Sequence, residues 1–427
     1  MNKIEKLINK LCPDGVEYKE LGKIWDRAPK SKLGVNKIKT LKNGNIICFT
    51  SGSKNHMIDD YLVDGEYIFV NDGGIADFKY NKGKAYYTDH VFAFGINTTD
   101  INAKFIYYLL LSKQAFINKS MFQGTTLKNL KKNDFANLLL PIPPISIQKK
   151  IVKILDKFTE LETDIETQIK TELKLRKKQY EYYRNQLLTP VEINGKWYLN
   201  DKEVKLKELW EVTLWDKRFN SLENFKQPKI LSFKHLLSSE LKSLNCPDGN
   251  IKLLPTGKFE GYTSEDIASD YINEGEIIAL PSGGSANIKY YKGKFVDSGN
   301  ILGSSLNNKI LNLKFCYYFL LTKNDIIENY YRGASIKHPD MSKILSIKIP
   351  IPPISIQKKI VKILDKFTEL ETELETELEK ELKLRKKQYE YYREKLLTFK
   401  ILAENSLLFK GEMKGVIYAN ALTKIYF

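Results

Sequence analysis

The sequence predicts an α+β protein in which two mixed α/β globular domains are separated by two long helices that pair within the chain as a coiled coil. Three observations carry this expectation. The stretch from Pro141 to Thr189 returns at Pro350 to Thr398, with 41 of 49 aligned positions identical at a constant offset of 209, and so close a self-match marks a duplicated architecture. Both copies place apolar residues at helical steps over a length that spans roughly 63 Å. The flanking halves carry short β-branched and aromatic runs between turn signals instead, the pattern of strands. The boundaries that follow are residues 1–140 for a first globular domain, 141–189 for a first helical spacer, 190–349 for a second domain, 350–398 for a second spacer, and a tail at 399–427 with no assigned role.

Residues 1–15 read as a short helix, with Ile4, Leu7, Ile8 and Leu11 in register and Pro13-Asp14-Gly15 closing it. From Val16 to about Val91, runs such as Ile46–Thr50 and Tyr67–Val70 alternate with turns at Asn43-Gly44, Asp64-Gly65 and Asp72-Gly73-Gly74, which predicts a mainly β region. A helix follows over about 103–120. Pro141, Pro143 and Pro144 forbid a helix before about Ser146, a suitable N-cap. The stripe then runs through Ile151, Ile154, Phe158, Leu161 and Ile165, and in the second copy through Ile360, Ile363, Phe367, Leu370 and Leu374. A single apolar stripe on so long a rod needs a partner, and the other copy supplies one.

After a linker with a turn at Asn194-Gly195, the second half repeats the first. Tyr61–Glu66 matches Tyr271–Glu276, Tyr107-Tyr108 matches Tyr317-Tyr318, and the loop Gly124–Lys128 matches Gly333–Lys337. Between these anchors the two halves diverge freely, while the helices hardly differ. Two readers of different half-sites, beside helices that meet a partner present in two copies, would produce this contrast.

The formal net charge is +16. Most of that excess lies outside the helical repeats, which favours globular domains that hold a polyanion over a basic membrane helix. Four scattered cysteines and four unclustered histidines indicate neither a zinc site nor a disulfide framework. With no long apolar run, the expectation is a cytoplasmic protein that neither spans nor binds a membrane. Asp72 with Asp77-Phe78-Lys79 resembles a metal-nuclease arrangement, but the second half has Ser282, Asn287 and Lys289 there. No phosphate-binding GxxxxGK[ST] loop and no Asn-Pro-Pro-aromatic methyltransferase motif is present. No catalytic residue and no metal ligand is therefore expected, and none is assigned.

Gly73-Gly74 and Gly283-Gly284, each followed by lysines, are candidate phosphate contacts together with Lys79, Lys82, Lys84, Lys289, Lys292 and Lys294. Their recurrence in both halves suits contacts that carry no sequence information. Further DNA-binding candidates are polar residues of the loops: Ser51, Ser53, Lys54, Asn55, His56, Thr125, Thr126 and Lys128 in the first half, and Thr263, Ser264, Ser335 and Lys337 in the second.

The segments Cys12–Leu21, Gly124–Leu130, Pro141–Pro144 and Leu175–Arg184, in this order beside a duplicated long helix, make the chain similar to the specificity subunit of type I restriction-modification systems. The resemblance covers nearly the whole chain. It implies two target recognition domains, each reading one half of a bipartite duplex DNA target, and an antiparallel coiled coil that spaces them. It further implies two modification subunits and, through the complex, restriction subunits as partners. No cofactor is expected in this chain; S-adenosylmethionine, ATP and Mg are expected on the partner subunits. Ala334-Ser335 and His338-Pro339 depart from the first-half pattern. The alternative from another class is a coiled-coil scaffold or adaptor without sequence-specific DNA binding.

Overall fold

The computed structural model describes residues 6, 8, 10–38, 40–125 and 128–401. The helix expected at residues 1–15 lies partly outside them, and the tail beyond Ile401 wholly outside. The chain forms two compact units, Met1–Gln168 with Glu379–Phe427, and Ile169–Leu378.

In the first unit the chain runs through β1 (Glu17–Glu20), β2 (Trp25–Arg27), β3 (Ile46–Phe49), β4 (His56–Ile58), β5 (Val63–Asn71), β6 (Phe78–Tyr87) and β7 (Val91–Ile96). Helix α1 (Ala103–Ser112) follows, then a small hairpin of β8 (Phe122–Gln123) and β9 (Asn129–Leu130). The helix expected over 103–120 is broken at Lys113 and resumes at Gln114. Strand β10 (Leu139–Ile142) pairs back onto β1 and leads into helix α2 (Ile145–Leu188). Strands β2 to β7 form one sheet in the order β2-β7-β5-β6-β3-β4, with β3 parallel to β6 and the other pairs antiparallel. Phe49 of β3 and Phe69 of β5 touch across the intervening β6, with ring centroids 4.4 Å apart.

The second unit repeats this plan. After a hairpin of β11 (Val191–Ile193) and β12 (Lys196–Leu199), whose turn residues Asn194 and Gly195 both have positive φ as a two-residue hairpin demands, comes β13 (Lys202–Glu208). The sheet strands are β14 (Thr213–Trp215), β15 (Ile251–Pro255), β16 (Gly261–Thr263), β17 (Asn273–Pro281), β18 (Lys289–Ser298) and β19 (Asn300–Ser305). Their order, β14-β19-β17-β18-β15-β16, reproduces that of the first sheet, parallel pair included. Helix α3 (Leu313–Thr322), a hairpin of β20 (Tyr331–Arg332) and β21 (His338–Pro339), β22 (Lys348–Ile351) and helix α4 (Ile354–Leu396) complete it.

The two long helices run antiparallel within each unit. In the first, Phe158 stacks on Tyr392 at 5.9 Å and meets Tyr389 edge-on at 6.4 Å, while Thr159 bonds the Tyr389 hydroxyl. In the second, Phe367 stacks on Tyr183 at 6.0 Å and meets Tyr180 edge-on at 6.4 Å, with Thr368 on the Tyr180 hydroxyl. The expected stripe needs correction. Ile151 and Ile360 are buried, but against the globular cores and not in a helix seam. Ile154, Phe158, Ile165, Phe367 and Leu374 are half-buried. Leu161, Ile363 and Leu370 are 45%, 44% and 47% exposed. The first turns of each helix face a globular core, which is wider than a coiled-coil seam. Leu155 and Leu364, next to the expected Ile154 and Ile363, are fully buried there. α2 also starts at Ile145, one residue before the expected cap, with the Pro144 carbonyl accepting from Ile147 and Gln148.

A buried glutamine fastens each globular half to its helix. Gln148 donates to the Pro143 and Asp100 carbonyls and accepts from the Asn102 amide, and Asn102 in turn caps α1 by accepting from Phe105. Gln357 makes the same bonds to Pro352, Ile310 and Asn312, which caps α3. Nearby, the Tyr108 hydroxyl donates to Asp156, which also pairs with Lys104 at 2.8 Å; Tyr318, Asp365 and Lys314 repeat this arrangement. Because both glutamines are fully buried, replacing Gln148 or Gln357 by methionine strands two carbonyls and an amide. Each substitution is expected to lower the stability of its own unit by about 2 kcal/mol or more, measured by calorimetry against the wild-type chain.

Candidate nucleic-acid interface

Three connections meet in each unit. In the first they are the β3–β4 loop, the β5–β6 turn and the β8–β9 hairpin. The Gly74 amide donates to the Lys128 carbonyl at 2.7 Å, the Leu130 amide to the Asp72 carbonyl at 3.0 Å, and Gly73 forms a bridge with Asn129. In the second unit the Gly284 amide donates to the Lys337 carbonyl at 2.8 Å, and His338 Nδ1 lies 2.6 Å from the Ser282 carbonyl. The glycine pairs are therefore seats for the hairpins. A Cβ on Gly73 would sit 3.1 Å from Asn129 Oδ1, one on Gly283 would sit 3.1 Å from Ile336, and Gly74 and Gly284 have φ of +86° and +101°. Since the amides of Gly74 and Gly284 are already bonded to carbonyls, this differs from the phosphate cradle expected from the sequence.

The lysines divide. Lys79 Nζ donates to the Thr50 carbonyl at 2.6 Å and the Gly52 carbonyl at 3.1 Å, and pairs with Asp77 at 3.0 Å, which uses its three donors internally. Lys289 donates to the Pro255 and Gly257 carbonyls, the latter at 2.8 Å, and desolvation holds its ammonium below the usual lysine range. Neither is placed as a phosphate contact. Lys82 and Lys84 lie farther along β6, flanking the Gly65–Gly83 pair, with Lys82 on Glu66 at 2.8 Å and Lys84 over the Tyr61 ring. Lys292 and Lys294 take the corresponding places, paired with Glu276 and Glu265. These strand lysines are exposed but are not part of the three-loop cluster.

Among the loop candidates, Ser53, Lys54 and Asn55 are exposed and Ser51 and His56 half-buried, with the Ser51 carbonyl held by Asn71 at 2.9 Å. Thr125 and Lys128 are exposed at the hairpin tip, as are Ser335 and Lys337 in the second unit; Thr126 lies outside the described residues. Thr263 and Ser264 are corrected. Thr263 is fully buried and pairs with Ile251, so both residues sit at the end of the β15–β16 pair away from the loop cluster. The second-unit counterpart of Ser51–Asn55 is Thr256–Glu260, which the sequence reading missed. The shared serine-or-threonine before Gly52 and Gly257 was the available signal.

Asp72 pairs with Lys132 at 2.8 Å and Asp77 with Lys79, and no group of metal-ligating side chains occurs among the described residues. The second unit has one polar cluster without a first-unit counterpart. His235 bridges two fully buried carboxylates, Nε2 to Asp216 at 2.9 Å and Nδ1 to Asp297 at 2.8 Å, and Asn300 bonds Asp297 at 2.6 Å. The bonds to Asp216 and then Asp297 raise the imidazole to about 9.

Two copies of one sheet, each presenting a cluster of exposed polar and basic loop tips of divergent composition, define a duplicated recognition protein. The chain belongs to the family of the type I restriction modification DNA specificity domain, which matches residues 13–175 and 202–384. Members of this family are DNA-recognition subunits of a multisubunit enzyme and not its catalysts. The putative type I restriction enzyme specificity subunit of Haemophilus influenzae is 29% identical over 407 residues, covering 90% of this chain and 96% of that one. The EcoR124I/EcoR124II specificity subunit of Escherichia coli is 31% identical over 288 residues, covering 62% and 65%. A chain solved in work on complex assembly and conformational transition of the type I R-M system shares the fold, with a TM-score of 0.62 at 13% identity over 90% of this chain and 98% of that one. No described helix is long and apolar enough to cross a membrane.

The His235 cluster sets a pH dependence. The folded-state value lies above the usual 6.5, so its stabilisation is complete below about pH 6.5 and is lost as pH rises through about 9. The second unit is expected to lose roughly 2 kcal/mol across that window, allowing for partial exposure of the ring. Thermal unfolding followed from pH 6 to 9.5 measures it, and His235→Gln should flatten the dependence.

Proposed function

We propose that this chain reads a bipartite duplex DNA target, each unit contacting one half-site through its three-loop cluster. In this reading the paired helices fix the unread spacer and dock two modification subunits, with restriction subunits joining through the complex. Methyl transfer from S-adenosylmethionine and the ATP- and Mg-dependent reactions belong to those partners. The work is cytoplasmic, where the DNA is. The observation that carries the reading is the recurrence of one sheet and one loop platform in both units while the exposed tips differ. A scaffold without DNA binding gives no reason for that divergence.

The helices support the docking role. Leu161 and Leu370, Leu175 and Leu384, and Tyr182 and Tyr391 are three pairs of repeat equivalents, each 45% to 63% exposed. Within a helix they fall at multiples of seven residues, so they form a row distinct from the stripe that pairs the helices. A partner present in two identical copies would meet two identical rows. Leu175→Asp with Leu384→Asp is expected to abolish co-purification of modification subunits while leaving DNA affinity of the lone chain unchanged.

Lys128 and Lys337 are the exposed cations at the hairpin tips. Changing either to alanine should weaken duplex binding several-fold for all sequences alike and reduce the slope of log affinity against log salt by about 1. Fluorescence anisotropy on the full chain measures both. A wild-type chain whose binding to duplex DNA is absent, or does not fall with salt, overturns the proposal.

A further inference from the structure

Lys79 and Lys289 occupy the same place on equivalent strands, and each holds the loop that follows the neighbouring parallel strand. The carbonyls they bind are also equivalent, Thr50 and Gly52 in one unit, Pro255 and Gly257 in the other. The Lys79 side chain is only 16% exposed, and an ammonium withdrawn from water is costly unless carbonyl or carboxylate oxygens surround it. Amide side chains add to the hold, Asn71 on the Ser51 carbonyl and Asn287 on the carbonyls of Thr256 and Gly257. Two halves that have diverged over most of their surface retain this arrangement.

The loops so held have one length. Cys48 faces His56 and Leu253 faces Gly261 in the same register, so Ser51–Asn55 and Thr256–Glu260 close identical spans. Their roots are tied by the lysines, and the backbone of the first tip is held as well, the Lys54 carbonyl accepting from the Thr50 hydroxyl at 2.7 Å, while the tip side chains stay exposed. The first tip presents Ser53, Lys54 and Asn55; the second presents Lys258 and Glu260, the latter exposed although paired with Lys252. Lysine donates to guanine O6 and N7, asparagine pairs with adenine, and glutamate accepts from cytosine N4. The tips thus offer different base-reading chemistry on a shared, fixed root.

Building on the DNA-reading function proposed above, we infer that this loop is the principal base-reading element of each unit, and that Lys79 and Lys289 are positioning residues that set its approach to the base edges. The lysines touch no DNA. Their tether makes the loop a rigid, exchangeable reader, so its tip can change without rebuilding the sheet.

Selection of binding sites from a pool of random duplexes by the full chain tests this. The wild type is expected to enrich a two-part motif. A graft of the second tip into the first unit, Ser51→Thr, Ser53→Lys, Lys54→Phe and Asn55→Glu, keeps the loop length and should change the first half-site while the second half-site and the spacer stay as they were. Asn55→Ala, a single exposed change, should relax the first half-site even if the graft fails to fold. Lys79→Met should lower discrimination against single mismatches in the first half-site by about tenfold or more, Lys289→Met should do so in the second, and Lys79→Arg should retain most of it. A folded graft and an Asn55→Ala chain that both select the wild-type motif would overturn the inference, as would a Lys79→Met chain that loses affinity for all sequences equally. A wild-type chain that enriches no motif rejects the DNA-reading function itself, which is a different result.

Discussion

Antiparallel pairing of two nearly identical helices constrains everything else in this chain. A helix that is apolar along one stripe and spans forty-four residues gains most of its stability from a partner surface and not from propensity. When the partner is a second copy running the other way, any contact made once is made again with the numbers exchanged. Phe158 against Tyr389 and Tyr392 therefore implies Phe367 against Tyr180 and Tyr183, and both sets are present. Lys386 with Glu166 and Lys177 with Glu375 repeat the rule in charge. Aromatic pairs of this kind are worth about 0.5–1.5 kcal/mol each beyond their buried area, whereas the exposed ion pairs contribute little. The rings hold the helices in register, and the charges keep the flanks soluble.

Each unit then draws its core from both helices. Ile147, Ile151 and Leu155 of α2 share a cluster with Leu396, Leu397 and Phe399, and Leu188 shares one with Ile360 and Leu364. Apolar contacts alone would tolerate some rotation of a globular half on its helix, because they have no preferred direction. Gln148 and Gln357 remove that tolerance. A buried amide that must satisfy three backbone groups at once has one acceptable pose, and a small rotation leaves it unsatisfied. Such bonds add modest net stability, yet they fix orientation, which a protein reading fixed positions on a duplex requires.

The repeat made much of this legible in the sequence. The helices, the mainly β halves and the correspondence of the glycine-rich turns with the hairpin loops all follow from residues matched between halves. What failed did so for physical reasons. Lys79 and Lys289 read in the sequence as phosphate contacts beside a glycine turn, because their actual acceptors are backbone carbonyls far away in sequence and independent of side-chain identity. Thr263 was misplaced because the offset between halves changes from 205 at β3 and β15 to 210 at β5 and β17, where the short helix Glu265–Ala268 is inserted. Leu161, Ile363 and Leu370 satisfy a heptad count and yet are exposed; at the helix starts the wider core buries Leu364 in place of Ile363, one residue along.

The same comparison explains why the conserved and the variable parts separate so sharply. A loop tip that reads bases must be free to change, and most changes there cost little stability because the tip is exposed. Its root has no such freedom, since a shift of an ångström would misplace every donor and acceptor that the tip carries. Tethering the root by backbone carbonyls satisfies both demands, because carbonyls survive any substitution in the loop that keeps its length. Thr50 and Pro255 show this directly: the side chains differ, one of them cannot donate at all, and the lysine contact is the same. An anchor blind to side-chain identity lets one half of this chain acquire a new surface while its fold, its seat on the helices and the other half remain unchanged.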